Sequence, residues 1–277
     1  MKKNERAAAI VRTIVVSLIA VLFVVPLVWM VLSSLKTAPE VFARPFHWLP
    51  ARVQWQNYAT VWMNEEASRL RAFANTLDIA LFSIIGQMFI SSLAAYSFAK
   101  INFKGKQVVF MLFLSSMMVP SQLTIIPRFM LFKTIGLYNN LWAIILPAFF
   151  GATSIFMLRQ FYMGLPNDLI EAAKIDGAGH LRIFLRIMLP LTKAALMSLI
   201  ILAFISSWNE YMAPLIFLVK KELYTVSQNI QWYMLDEFKE HNLTMAAATS
   251  AIVPVVILFI VGQKYFVEGI ATSGVKG

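Results

Sequence analysis

Long apolar runs recur along the whole chain, and they limit its folding more than any other feature. Six stretches, about 11–34, 76–98, 107–131, 139–161, 194–219 and 245–266, reach the roughly 20 residues that a helix needs to cross the ~30 Å hydrocarbon core of a bilayer. A soluble fold of this length would need a polar skin. Here 59% of the residues are hydrophobic and 14% are charged, against about 25% charged in ordinary soluble domains, and the mean hydropathy is +0.70. Lipid is therefore the solvent for most of the surface. Every backbone N–H and C=O in hydrocarbon must be satisfied within the fold, which leaves helices or a closed barrel. A barrel would show alternating strands of about ten residues instead of continuous runs. The expected fold is an all-α membrane protein with six transmembrane helices, forming a single domain over residues 1–277.

The absence of cysteine excludes disulfides, thiolate metal sites and a cysteine nucleophile. The three histidines, His47, His180 and His241, show no metal-ligand spacing, so no metal site is expected. The net charge of +10 is spread along the interhelical loops rather than gathered on one face, which fits anionic lipid surfaces and not nucleic acid. Lys2, Lys3 and Arg6 precede an apolar run like that of a signal peptide. That run, Ile14 to Leu32, is longer than a usual signal core and lacks a small-x-small cleavage site, so a retained first helix is expected. Six spans put both termini on one side. With the termini inside, fourteen of the 24 lysines and arginines fall on inner segments and ten outside, and the short 100–106 loop carries three positives and no acid. The termini, the 99–106 loop and the 162–193 loop are accordingly read as cytoplasmic. Residues 35–75, with Trp48, Trp55 and Trp62 among prolines, suit an extracytoplasmic loop with an interfacial stretch.

The 162–193 loop reads as two short helices separated by a glycine break. Pro166 and Asn167 start the first, and Asp168 stands three residues before Glu171 in a carboxylate variant of the capping box. Gly177 and Gly179 end it, since glycine enters the left-handed conformation of a helix C-cap without steric penalty. Leu169, Ala172, Ala173 and Asp176 share one face, and the small alanines allow close approach of another backbone. In the second helix Leu181, Phe184, Leu185 and Met188 lie opposite Arg182 and Arg186, as in a helix at the membrane edge. Periodicity alone leaves open whether this loop has a partner.

The spacing Glu171-Ala172-Ala173, three residues, Gly177, nine residues, Ile187, one residue, Leu189-Pro190 resembles the EAA motif of permeases of binding-protein-dependent ABC importers. Asn75-Thr76-Leu77, Ala95 to Lys100 with Phe103 to Lys106, Pro120 to Pro127, Ile175 to Ala178, Trp208 to Tyr211 and the closing Gly274 to Gly277 are similar to the carbohydrate branch, specifically the maltose-type second permease subunit. The resemblance implies a cytoplasmic coupling helix between helices 4 and 5, with Asp168, Leu169, Glu171, Ala172, Ala173, Asp176 and Gly177 engaging an ATPase. It further implies a homologous permease partner, an ABC ATPase dimer that binds the ATP and Mg, an extracytoplasmic solute-binding protein and a sugar as cargo. The setting it implies is a bacterial or archaeal cell membrane. The chain has no Gly-x-x-x-x-Gly-Lys-Ser/Thr phosphate loop, so it carries no ATP site of that type and is read as a transport subunit without cofactor or catalytic residues of its own.

An ionisable or amide side chain inside hydrocarbon asks for a cavity or a partner. Gln87 and Gln122 fit either interhelical hydrogen bonding or substrate contact. Asn209 and Glu210 interrupt the fifth stretch just before Pro214. These four are the candidates for a translocation path, while Asp78, near the start of the second stretch, is read as interfacial. The rivals are a permease for a polyamine, phosphate or peptide, an intramembrane enzyme, and a proton-coupled carrier acting through Asp78 or Glu210.

Overall fold

The computed structural model describes residues 2–64, 68–234 and 240–274. Among them the regular structure is helical, without strands. The elements used below are α1 (Lys2–Ser34), α2 (Gln56–Met63), α3 (Arg69–Lys100), α4 (Lys106–Ser115), α5 (Ser121–Thr134), α6 (Trp142–Ala148), α7 (Ala152–Met163), α8 (Asp168–Ile175), α9 (His180–Leu191), α10 (Lys193–Trp208), α11 (Met212–Phe217), α12 (Val226–Trp232) and α13 (His241–Gly274). The closing Val275-Lys276-Gly277 lies outside the described residues.

Four helical stretches are long and apolar enough to cross a membrane: Ala8–Ser34, Arg69–Lys100, Trp142–Met163 and His241–Gln263. Two helix pairs that pass the same test together, each bent by more than 40°, make the number six when each pair is counted as one span. The run expected over 107–131 turns by 97° between Met118 and Ser121. Pro120 causes the break, because it forces Val119 into an extended conformation (φ −83°, ψ 114°) and offers no N–H to the helix. The run expected over 194–219 begins as expected, with α10 at Lys193, which α9 meets at an angle of 76°. It stops at Trp208, where Asn209 Nδ2 donates back to the Ile205 carbonyl at 2.8 Å. The 139–161 stretch is interrupted at Phe149–Gly151, between α6 and α7.

The chain divides into two compact units. The first, Met1–Arg69 with Asn229–Val253, packs Val61, Tyr233, Leu243, Ala246 and Ala247 together. Arg69 is wholly buried there, its guanidinium donating to Asn229 Oδ1 at 2.5 Å and to the Ala247 carbonyl. Asn57 Nδ2 donates to the carbonyls of Ser34 and Lys36, both at 2.8 Å, and Asn57 Oδ1 accepts from Asn242.

The second unit, Leu70–Gln228 with Pro254–Gly277, has two interior clusters. One joins Met88, Ala95 and Tyr96 of α3 to Leu158 and Tyr162 of α7, Ile170 and Ala173 of α8, and Ile183, Phe184 and Met188 of α9. The other joins Ile79, Phe132, Ile144, Ile145 and Phe217. Helices in lipid gain little from burying apolar surface against each other, so close packing falls to small residues. A Cβ at Gly86 would lie 2.2 Å from the Phe149 ring, and one at Gly262 would lie 2.6 Å from Ile201.

Candidate functional site: the α8 segment and a polar cavity

The loop between α7 and α10 is fixed from below by side chains of the spans. Lys100, the last residue of α3, donates through Nζ to the Leu165 carbonyl and to Asn167 Oδ1, both at 2.7 Å. Asn167 is the N-cap residue of α8, and with its side chain held by Lys100 it makes no cap hydrogen bond. The capping box expected from Asp168 and Glu171 is therefore absent: Asp168 is the first helical residue, and both acids stand in the first turn. They still complement the positive helix end. Tyr96 Oη pairs with His180 Nδ1 at 3.1 Å, and Arg159 Nε donates to the Phe98 carbonyl at 3.3 Å while its guanidinium lies 4.1 Å from the Phe110 ring centre.

The C-terminus of α8 follows from one glycine. Gly177 has φ +75°, its N–H donates to the Lys174 carbonyl at 3.0 Å, and the Ala178 N–H donates to the Ala173 carbonyl at 2.9 Å. This pair of bonds is a Schellman motif, which needs a left-handed residue where Gly177 stands. Gly179, expected to share that role, is extended (φ −72°, ψ 163°) and opens α9 as its N-cap.

The two faces of α8 divide differently from the expected stripe. Ile170 and Ala173 are buried against α3, α7 and α9, so the close approach that Ala173 permits is to the chain's own interior. Asp168, Leu169, Glu171, Ala172, Ile175, Asp176 and Gly177 are exposed, Ile175 to 86%. An apolar side chain that open, beside three carboxylates and a bare glycine turn, forms a small protruding surface. In α9 the buried residues are Ile183, Phe184 and Met188, whereas Leu181 and Leu185 are exposed. A π-helical turn at Phe184–Met188 departs from the 3.6-residue period and shifts the inward stripe.

The path candidates converge only in part. Gln87, Gln122 and Glu210, far apart in sequence, line one cavity of about 490 Å³ together with Ser83, Ser121, Ser206, Ser207 and Arg128. Gln87 Nε2 donates to Ser154 Oγ at 3.0 Å, and Gly151 leaves room for that amide, since a Cβ there would lie 2.2 Å from Nε2. Glu210 Oε1 accepts the Ala213 N–H at 3.0 Å at the start of α11. Asn209 is not among the lining residues, because its amide caps α10. Asp78 is exposed and borders a separate cavity of about 270 Å³ with Asn139, Asn140 and Trp142. Arg128 escapes the sequence reading, which counts it among the outer-side charges. A lone arginine within an apolar run is the signal that could have found it.

A family model for the binding-protein-dependent transport system inner membrane component matches residues 87–272. The arabinooligosaccharides transport system permease protein AraQ of Bacillus subtilis (strain 168) is 33% identical over 267 residues, which cover 96% of this chain and 95% of AraQ. The sn-glycerol-3-phosphate transport system permease protein UgpE of Pectobacterium atrosepticum is 29% identical over 266 residues, 94% of each chain. Among solved structures, a chain from a bacterial ABC transporter involved in the import of the acidic polysaccharide alginate superposes with a TM-score of 0.83 over 95% of this chain and 98% of that one, at 23% identity, and so shares the fold. The extent of the family match and the near full-length similarity to AraQ place this chain in the family of inner membrane components of binding-protein-dependent transport systems.

Proposed function

We propose that this chain is one transmembrane half of an ATP-driven importer for a sugar or oligosaccharide. It pairs with a homologous permease and receives solute from an extracytoplasmic binding protein. A cytoplasmic ABC ATPase dimer, which binds the ATP and Mg, drives it between inward- and outward-facing states. Its setting in this reading is the bacterial inner membrane, with both termini cytoplasmic. The carrying observation is the α8 segment: its inner face is rooted in α3, α7 and α9 through Ile170 and Ala173, while Asp168, Leu169, Glu171, Ala172, Asp176 and Gly177 remain exposed. A push on the exposed face therefore reaches the span ends, which is what a coupling element requires. The cavity bounded by Gln87, Gln122 and Glu210 supplies the solute path, and its mixture of donors and acceptors suits a polyhydroxylated cargo.

The test is uptake by proteoliposomes holding the full complex, with arabinotriose and sn-glycerol 3-phosphate supplied as competing labelled solutes together with the cognate binding protein. ATP-dependent uptake of the oligosaccharide is expected. Uptake of the phosphate ester alone would favour the second reading, suggested by the similarity to UgpE. Uptake that continues without any ATPase subunit would overturn both.

A further inference from the structure

The cavity holds a cation with unused hydrogen-bonding capacity. A guanidinium stays protonated at any accessible pH, and inside a span it costs several kcal/mol unless it faces water, a partner or a cavity. Arg128, midway along α5, faces the cavity. Its guanidinium carbon lies 5.0 Å from the ring centre of Phe217, which is fully buried, so one face of the group is held by a cation–π contact. The Nε atom is buried and has no hydrogen-bond partner. The same cavity contains one carboxylate, Glu210, with Oε1 engaged by the Ala213 N–H. The remaining polar lining, including Gln87, Gln122, Ser206 and Ser207, is uncharged.

One fixed cation and one fixed anion leave this lining without net charge while offering it both donors and acceptors. We propose that Arg128 and Glu210 together set the charge selectivity of the path. Balanced, they admit an uncharged, oxygen-rich solute, with Arg128 donating to its oxygens and Glu210 accepting from its hydroxyls. This inference rests on reading the cavity as the path. Removing either charge should tilt the cavity toward solutes of the sign removed.

The cysteine-free chain permits a test that needs no knowledge of the solute. In the assembled complex, a cysteine replacing Gln122 is the probe, and the rates of its reaction with the trimethylammonium-ethyl and sulfonato-ethyl methanethiosulfonates are compared. Their ratio cancels changes in thiol ionisation. With Arg128 and Glu210 intact the two reagents should react at similar rates. Arg128→Gln should favour the cationic reagent and Glu210→Gln the anionic one, each by roughly fivefold, as expected for a unit charge several ångströms away in a partly aqueous site. Arg128→Lys should restore the original ratio. If Arg128→Gln fails to assemble, Glu210→Gln alone decides. A ratio unmoved by charge removal would overturn the proposal and leave the path standing. A Gln122→Cys thiol no more reactive than Ile126→Cys, which is 67% exposed on α5, would sink the path and the proposal with it.

Discussion

The α8 segment and the cavity are both built within the second unit, yet they are assembled in different ways. The α8 segment is local: eight helical residues, one glycine turn and two buried side chains within a few residues of each other. The cavity is assembled from α3, α5, the α6–α7 break and the end of α10, with its polar side chains coming from α3, α5 and the α10 end. The difference teaches where rigidity resides. In α8 the backbone itself sets the shape, so single-residue conformational freedom matters most. In the cavity the distance between helices sets the shape, so side-chain volume at the helix contacts matters most.

That contrast can be broken by substitutions aimed at one region and measured in the other. The largest effect is expected from Gly86→Leu. Even a Cβ at this position would meet the Phe149 ring at 2.2 Å, so the ring or the α3 contact with the α6–α7 break must shift. Overpacking of this kind costs about 1–3 kcal/mol. The melting temperature of the purified complex should fall by several degrees and uptake should drop, whereas the Schellman turn at Gly177 is untouched. An unchanged melting temperature and full uptake would show that helix spacing does not limit the cavity.

Gly177→Val comes next. No atom within 4 Å obstructs a side chain there, so the penalty lies in the backbone: a β-branched residue at φ +75° is strained by about 1–2 kcal/mol. Uptake should fall about tenfold while ATP hydrolysis continues and the reactivity of a Gln122→Cys probe stays constant. Normal coupling in this variant would mean that the turn geometry is dispensable. The smallest effect is expected from Lys100→Met, which removes two hydrogen bonds at the start of the loop, to the Leu165 carbonyl and Asn167 Oδ1. A loss of about 1 kcal/mol should appear as a two- to fivefold reduction in uptake, with no change in the cavity. An effect as large as that of Gly177→Val would shift the mechanical weight from the turn to the Lys100 tether.

The same contrast explains how much of the fold and of the site is legible in the sequence. Gly177 and the Glu171-Ala172-Ala173 spacing are local signals, and the helix with its left-handed stop stands where they put it. Ala173 was legible as a small residue at a close contact, but not as one facing inward, because an eight-residue helix takes its orientation from whatever it packs on. The stripe expected in α9 is displaced by a π-turn that hydrophobic periodicity does not encode. The break at Pro120 falls inside the stretch read as one span over 107–131, and its 97° angle depends on how the two halves pack. In the cavity, Gln87, Gln122 and Glu210 are legible because polar groups in apolar runs are conspicuous. Asn209 passed the same filter, yet its amide is spent capping α10. Arg128 lies inside the 107–131 stretch, where the sequence names no partner for it, and its sharing a cavity with Glu210 is a tertiary fact.

In the proposed function the outer face of α8 meets a separate ATPase while its inner face belongs to the permease. Adjacent alanines test it, since Ala172 is exposed and Ala173 is 7% exposed. Cysteine placed at each position in turn in this cysteine-free chain and labelled with a short maleimide-linked benzophenone should, on irradiation in intact membranes, join Ala172→Cys to an ATPase subunit and leave Ala173→Cys uncoupled. Capture of no ATPase from Ala172→Cys, or equal capture from both positions, would contradict the account.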